Sequence, residues 1–425
     1  MATGTDATGA ADATSTTGAR GTRGTTSTGW TAPTEDERLL YEATARGDGG
    51  KDAVLDVLSR SRLYVLVARL DADTPGFTAP LPLRRDDATG LNCVSVLTPG
   101  MLPPWHADWV FRETTLTELA RTWPGNKWWL GINLGTPYAT TVAARPAHRK
   151  EWLKADARSG GPPRGRLLTH SGGSLHGPVA HGLALGAHLA VHNGLVWNQL
   201  GAAYQDYGTD IARLRNPWGV VHRAGFRQTL DLLTATRLVG RTPEHVLQAR
   251  RTLARRLKRT PTYQEWSDSV DPTPAQCRAP GPSDPSGPSG PSGSGEEEPG
   301  EGPRDWLRRI ITYEDRFRAD GILAADARID TLAAFDYGRA VNVVRLALGA
   351  RYCDPHEAEQ AVLRIGELAR QAYGSWAEFS LGYALTRVIH SDADDNSEVT
   401  YQESLAQHRI LTQDPAGPYR NIPWS

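Results

Sequence analysis

The run PGPSDPSGPSGPSGSGEEEPGEGP, inside residues 271–303, limits what this chain can fold into more than any other feature. Proline at this density removes backbone donors and glycine removes packing side chains, so the run can neither carry a helix nor fill a core. Its PSG triplets are low complexity rather than a structural repeat. The folded part must therefore be assembled from the flanks. Apolar helical faces lie on both sides, which predicts one helical domain with 271–303 as a disordered, acidic surface insertion. Two separate domains flanking the insertion form the alternative.

A second biased stretch, residues 1–33, is dominated by Gly, Thr, Ala and Ser and reads as a disordered tail. It lacks the apolar centre of a signal peptide, and no uncharged apolar run in the chain reaches the ~18 residues that cross a bilayer. Cys93, Cys277 and Cys353 are far apart, odd in number and outside any CxxC spacing, which fits a reducing compartment. A cytoplasmic protein without a membrane segment is expected. At 425 residues, with 39% hydrophobic and 22% charged residues, the remainder suits two or three globular domains. The formal charge of −1 gives no global attraction to nucleic acid or anionic lipid.

Between the tail and the insertion the character of the chain changes once. A helix is predicted from Thr34 to about Arg46, then a short helix from Val54 leading into the strand-like run LYVLVARL. Strands follow at 91–98 and 128–134, with a helix over Leu116 to Thr122. Strands mixed with short helices at irregular spacing predict an α+β domain over 34–155. The Gly/Pro-rich joint 156–177 then leads to an all-α domain over 178–425. There Thr242-Pro243 and Asp354-Pro355 read as helix starts, and Ala334, Tyr337, Val341, Val344 and Leu348 recur at helical spacing.

Two stretches resemble bacterial families. Residues 60–152 resemble the SseB-type N-terminal domain of actinobacterial proteins, through Val96-Leu97-Thr98, a helix, and GINLGTPY at 131–138; that family's phenylalanine-threonine-serine signature stands here as LTP at 97–99. Residues 180–425 resemble the bacterial domain of unknown function numbered 1266. The carrying segments are NPWGV (216–220), AFDYGRAVNVVRLAL (334–348), YGSWAEFSLGYAL (373–385) and PYRNIPW (418–424), which contain Trp218, Asp336, Arg339, Ser375, Trp376 and Trp424. Neither resemblance implies a catalytic residue or cofactor. Together they imply a bacterial cytoplasmic protein that assists secretion or neutralises a toxin.

Three constellations have a chemical reading. His181, His188 and His192 fall at i, i+7 and i+11, one stripe if they share a helix, and three imidazoles suit zinc. The segment lacks the glutamate of HExxH, and a helix edge bordering an apolar face explains it as well. Asp392, Asp394, Asn396 and Glu403 match positions 1, 3, 5 and 12 of an EF-hand loop, but Ser397 stands where glycine makes the sharp turn. A basic helix over 250–259, with Arg250, Arg251, Arg255, Arg256, Lys258 and Arg259, is the only candidate patch for nucleic acid and lacks interleaved aromatics. No nucleophile elbow, Walker loop or dinucleotide loop is present, and Asp336 with Arg339 is placed for an i, i+3 ion pair. The expected function is a noncatalytic protein-interaction or accessory factor with a protein partner and no cofactor. A metal-dependent enzyme using the histidine stripe is the alternative.

Overall fold

The computed structural model describes residues 31–76, 80–201, 204–270, 302–392 and 397–424. The expected tail and insertion lie outside these residues except at their edges. Gly302 caps the helix that Pro303 opens, so the expected insertion ends two residues early.

The N-terminal part is a mixed α/β layer. It comprises α1 (Glu35–Ala45), α2 (Lys51–Arg60), β1 (Leu63–Ala68), the single turn α3 (Arg69–Ala72), β2 (Leu83–Arg85) and β3 (Asn92–Val96). There follow β4 (Trp109–Thr114), α4 (Leu116–Thr122), β5 (Trp129–Ile132), β6 (Thr140–Val142) and α5 (Pro146–Ser159). One sheet has the order β2-β3-β5-β6, with only β3 and β5 parallel; β1 and β4 form a separate antiparallel pair. An antiparallel bridge between Tyr64 and Leu97 ties the two sheets together. Leu40, Leu58, Leu63, Val94, Val96, Leu130, Ile132 and Trp152 fill this core. The strands expected at 63–70, 91–98 and 128–134 are β1, β3 and β5. Three strands escape the sequence pattern for a physical reason: β2 is wholly exposed, β6 is half-buried throughout, and β4 alternates poorly because its middle is half-buried on both faces.

The segments that carry the SseB resemblance meet in this layer. Asn133, at φ 52°, accepts from Thr98 N at 2.9 Å and donates to Thr98 Oγ1 at 2.8 Å. Glu37 of α1 closes the same turn, accepting from Gly100 N at 3.0 Å and from the Thr98 hydroxyl.

The remainder is helical. Its first half holds α6 (Gly177–Leu185), α7 (Ala187–Asn193), α8 (Tyr207–Trp218), α9 (Arg223–Thr234), α10 (Arg241–Leu257) and α11 (Tyr263–Ser269). Its second half holds α12 (Pro303–Ala319), α13 (Ala333–Gly349), α14 (Pro355–Ala372), α15 (Trp376–His390), α16 (Ser397–Gln413) and α17 (Pro418–Asn421). Helix α13 is the axis, packed by α6, α7, α8, α9, α14 and α15 and buried on almost every side. Close approach requires glycine twice: a Cβ at Gly338 would lie 2.8 Å from the Tyr383 ring, and one at Gly349 would lie 1.9 Å from Asp210 Oδ2.

Residues 160–177, between the two parts, are fastened to both. Ser171 N donates to Pro33 O at 2.8 Å, Trp197 N donates to Leu168 O at 3.0 Å, and the buried Asn198 side chain brackets the His170 backbone at 2.8 Å on each side. Residues Ala32–Ser425 form one compact unit.

Helices on either side of residues 271–301 are joined by a buried ion pair. Arg250 of α10 meets Glu314 of α12 through two bonds of 2.8 Å, donates to Ile329 O, and lies 4.4 Å from the Trp266 ring centroid. The expectation that Arg250 sits on a solvent-facing basic surface is thereby corrected: α10 is covered by α11 and α12, and the guanidinium faces inward. Breaking such a pair strands a buried charge. Arg250→Ala should lower the unfolding free energy in urea by about 3–5 kcal/mol, with Arg250→Met/Glu314→Leu much closer to wild type.

Candidate functional site

A cleft of about 400 Å³ opens where β4 and the loop before it face α8 and the C-terminal end of α13. Leu102, Pro103, Pro104, Trp105, Val110 and Phe111 come from the α/β layer; His170, Gln199, Leu200, Gln205, Tyr207 and Asp210 come from the middle of the chain; Leu348, Gly349, Arg351 and Pro355 complete it. This size, and a position between two layers, are usual for binding sites.

Local sequence explains how each wall is set. Helix α13 ends in a Schellman arrangement: Tyr352 N donates to Ala347 O at 2.8 Å and Arg351 N to Leu348 O at 3.3 Å. The left-handed position that glycine normally fills is occupied by Arg351 at φ 64°. Its guanidinium donates to Leu348 O at 3.1 Å and Gly349 O at 2.8 Å on its own helix end, and to His106 O at 3.2 Å and Trp109 O across the cleft. It also lies 5.0 Å from the Trp105 ring centroid, and Trp105 Nε1 donates to Leu348 O at 3.1 Å. One side chain thus caps the negative end of α13 and binds the α/β layer to it. On α8, Asp206 is the N-cap, accepting from Thr209 N at 2.6 Å, while its other oxygen accepts from Glu113 N of β4 at 2.7 Å.

The charge state of the cleft follows from these contacts. Burial pushes the Asp210 carboxyl well above the usual range, with Asp206 adding to the shift, and Arg345 and Arg351 do not offset it. Burial thus favours the uncharged form of Asp210, which accepts from Tyr204 N at 3.2 Å. His170 Nδ1 accepts from Gly172 N at 3.0 Å, which leaves Nε2 carrying the proton toward Gly100 O at 3.3 Å. Burial and the Asp73 carboxylate raise the Tyr207 phenol, which donates to Asp73 Oδ1 at 2.6 Å. The amides of Gln199 and Gln205 have no hydrogen bond among the described residues, and Gln205 is held at φ 56°.

The three predicted zinc ligands do not converge. Gly186, whose Cβ would lie 2.9 Å from Val341, separates α6 from α7 and breaks the assumed stripe. The His181 ring packs 4.8 Å from Trp376 and 5.1 Å from Trp424. His188 stacks on Tyr383 at 4.3 Å and its Nε2 lies 2.9 Å from Ser380 Oγ, which lies 2.8 Å from His408 Nδ1. His192 faces Glu403 at 3.5 Å and Arg387 at 3.4 Å. Among the described residues, no three His, Cys, Asp or Glu side chains gather as a metal site. His188 is fully buried rather than the helix-edge residue the sequence suggested.

Only part of the calcium-loop match falls on described residues. Asp394 and Asn396 lie outside the described residues. Asp392 receives Arg309 at 3.1 Å and the Tyr313 hydroxyl at 2.6 Å, while Glu403 receives Arg387 at 2.6 Å. Helix α16 starts at Ser397, so positions that an EF-hand keeps as loop are helical here. On the basic helix, Arg251 pairs with Glu244 and Arg259 with Glu265, leaving Arg255, Arg256 and Lys258 exposed. The segments that carry the second resemblance are structural in their contacts. Asp336 pairs with Arg339, accepts from Leu238 N at 3.0 Å, and Arg339 lies 5.6 Å from the Trp218 ring. Ser375 caps α15, Trp376 Nε1 donates to Ile422 O at 2.7 Å, and Trp424 Nε1 donates to Tyr373 O at 2.9 Å. Of the cleft residues, the sequence singled out Leu348 and Pro355, and only as parts of helices; the D-Y-G-T cap before α8 was the one local signal pointing there.

Residues 213–424 match the family model described as protein of unknown function (DUF1266). The match takes in α9 to α17 and the second half of α8, leaving α6, α7 and the α/β layer outside it. No curated protein and no solved structure matches this chain. The cleft is therefore built jointly, with Leu348, Gly349, Arg351 and Pro355 from the matched region and the rest from outside it.

The buried histidines make a pH prediction. Burial lowers His188 to about 3 and His181 and His408 to about 4, below the ordinary 6.5. The unfolded chain takes up these protons near pH 6.5 and the native chain only near 4 or below. Their contribution to stability is present above about pH 6.5 and is lost as pH falls toward 4. Buried carboxyls such as Asp210 act in the opposite sense, so a difference measurement is needed. Between pH 6.5 and 4, the urea midpoint of wild type should fall more steeply than that of His188→Gln, each tenfold in proton affinity being worth about 1.4 kcal/mol.

Proposed function

We propose that this protein is a noncatalytic interaction factor that receives part of a protein partner in the cleft between its α/β and helical layers. The observation that carries this reading is that the charged groups at the cleft are committed to holding the fold. Arg351 serves four carbonyls, Asp206 caps α8 and anchors β4, and both His170 nitrogens are engaged. The Ser380 hydroxyl between His188 and His408 resembles an activated nucleophile in distances alone, since its complete burial denies it a substrate. The metal-dependent reading has less support because His181, His188 and His192 face three different environments. An accessory role in secretion or toxin neutralisation, inside a bacterial cell, is the form of this function that the family resemblances imply.

The test is a photo-reactive phenylalanine analogue at Leu200, in cells that natively carry the protein, with a second copy at the exposed Tyr263 of α11 as control. A discrete protein adduct from position 200, absent from position 263 and abolished by Leu102→Arg, is the expected result. Equal labelling at both positions, or none at 200, would remove the cleft as the interaction site.

A further inference from the structure

The β4 rim of the cleft alternates occupied and open backbone groups. Tyr64 and Leu97 exchange N–H···O bonds of 2.9 Å in both directions, so both polar groups of Tyr64 point away from β4. Tyr64 faces Glu113 in the register, which makes this a non-hydrogen-bonded pair. The period of two then directs the N–H and C=O of Trp109, Phe111 and Glu113 away from β1, toward the helical layer. The contacts of the two outer positions agree: Glu113 N donates to Asp206 and Trp109 O accepts from Arg351. Between them, the N–H and C=O of Phe111 have no partner among the described residues, and Phe111 lines the cleft.

We propose that the cleft binds a short, extended, uncharged segment of a partner polypeptide, one residue of which pairs its N–H and C=O with those of Phe111. The proposal rests on the interaction reading above and specifies its occupant. An open strand position is a template for main-chain pairing, and side chains on the added segment then supply selectivity. Here the template is one residue long, because Asp206 and Arg351 occupy the positions on either side; a long added strand is excluded. The amides of Gln199 and Gln205, which have no hydrogen bond among the described residues, complement peptide groups flanking the paired residue, and Leu102, Pro103 and Leu200 form apolar walls. A charged side chain entering this space would lose its water for little return, since four of the five Arg351 N–H donors are already held by carbonyls and burial favours the uncharged form of Asp210.

The experiment uses the full chain and four capped tripeptides, followed by isothermal titration. They are acetyl-Leu-Val-Leu-amide, its analogue N-methylated at all three residues, and versions with Asp or Lys in the centre. The parent peptide should bind, and the methylated and charged versions should bind at least tenfold more weakly. Phe111→Pro should also weaken the parent peptide at least tenfold while leaving β4 in place, because proline is tolerated where an edge N–H points away from the neighbouring strand. If that variant fails to fold, the methylation series decides alone. Undiminished binding of the methylated peptide, equal binding of the charged ones, or no binding of the parent would overturn the proposal. Persistence of the Leu200 adduct alongside any of these results would show that the cleft interaction stands and only the main-chain pairing is wrong.

Discussion

The burial of α13 on nearly all sides is the constraint from which the rest of the structure follows. A helix with no solvent face must satisfy every polar side chain internally and must admit its neighbours closely. Asp336 and Arg339 meet the first demand with each other and with the backbone of Leu238, and Arg345 meets it at Val196 O. Gly338 and Gly349 meet the second, by admitting Tyr383 and Asp210. The family match over residues 213–424 takes in this helix and α9, α14 and α15, which pack around it, so much of the matched region is one buried helix and its wrapping.

The cleft is a product of how that helix ends. Asp210 packs against Gly349, and two residues beyond, Arg351 reaches the α/β layer. Tyr64 of β1 adds a second tie by donating to Tyr204 O at 3.0 Å, and Arg62 a third, pairing with Glu113 at 2.9 Å and reaching Asn193 O. These bonds fix the width of the gap between layers, which sets what it can hold. Their polar atoms are thereby withdrawn from chemistry, and the lining left over consists of apolar side chains, two glutamines and one strand position.

Much of the fold was legible because its signals are local. The Thr34 and Glu37 pair marks the start of α1, and the apolar run LYVLVA marks β1. Asp354 caps α14 as its sequence suggests, accepting from Glu357 N at 2.9 Å, while the Glu357 side chain pairs with Arg223 and Arg227. The candidate site was not legible, because its members stand far apart at residues 105, 111, 199–210 and 351 and none belongs to a catalytic motif. The overread features share one cause. Spacing arguments assumed a continuous helix through Gly186, a single covered face on α10, and a loop through Ser397, and each assumption failed at a tertiary contact or a helix boundary that spacing does not encode.

Arg351 joins two tasks that proteins usually assign to different residues. A glycine there would terminate α13 with less backbone strain, by roughly 1 kcal/mol on the usual scale for a non-glycine residue in the left-handed region. It would also remove the guanidinium that ties the end of α13 to His106 and Trp109 of the α/β layer. Because the stop signal of the central helix and the fastening of the second layer reside in one side chain, fraying of the helix end and loosening of the layers become a single event. The last turn of α13 and the gap between the layers therefore share one set of bonds, so a change that unwinds the turn also removes one of the ties that set the width of the gap.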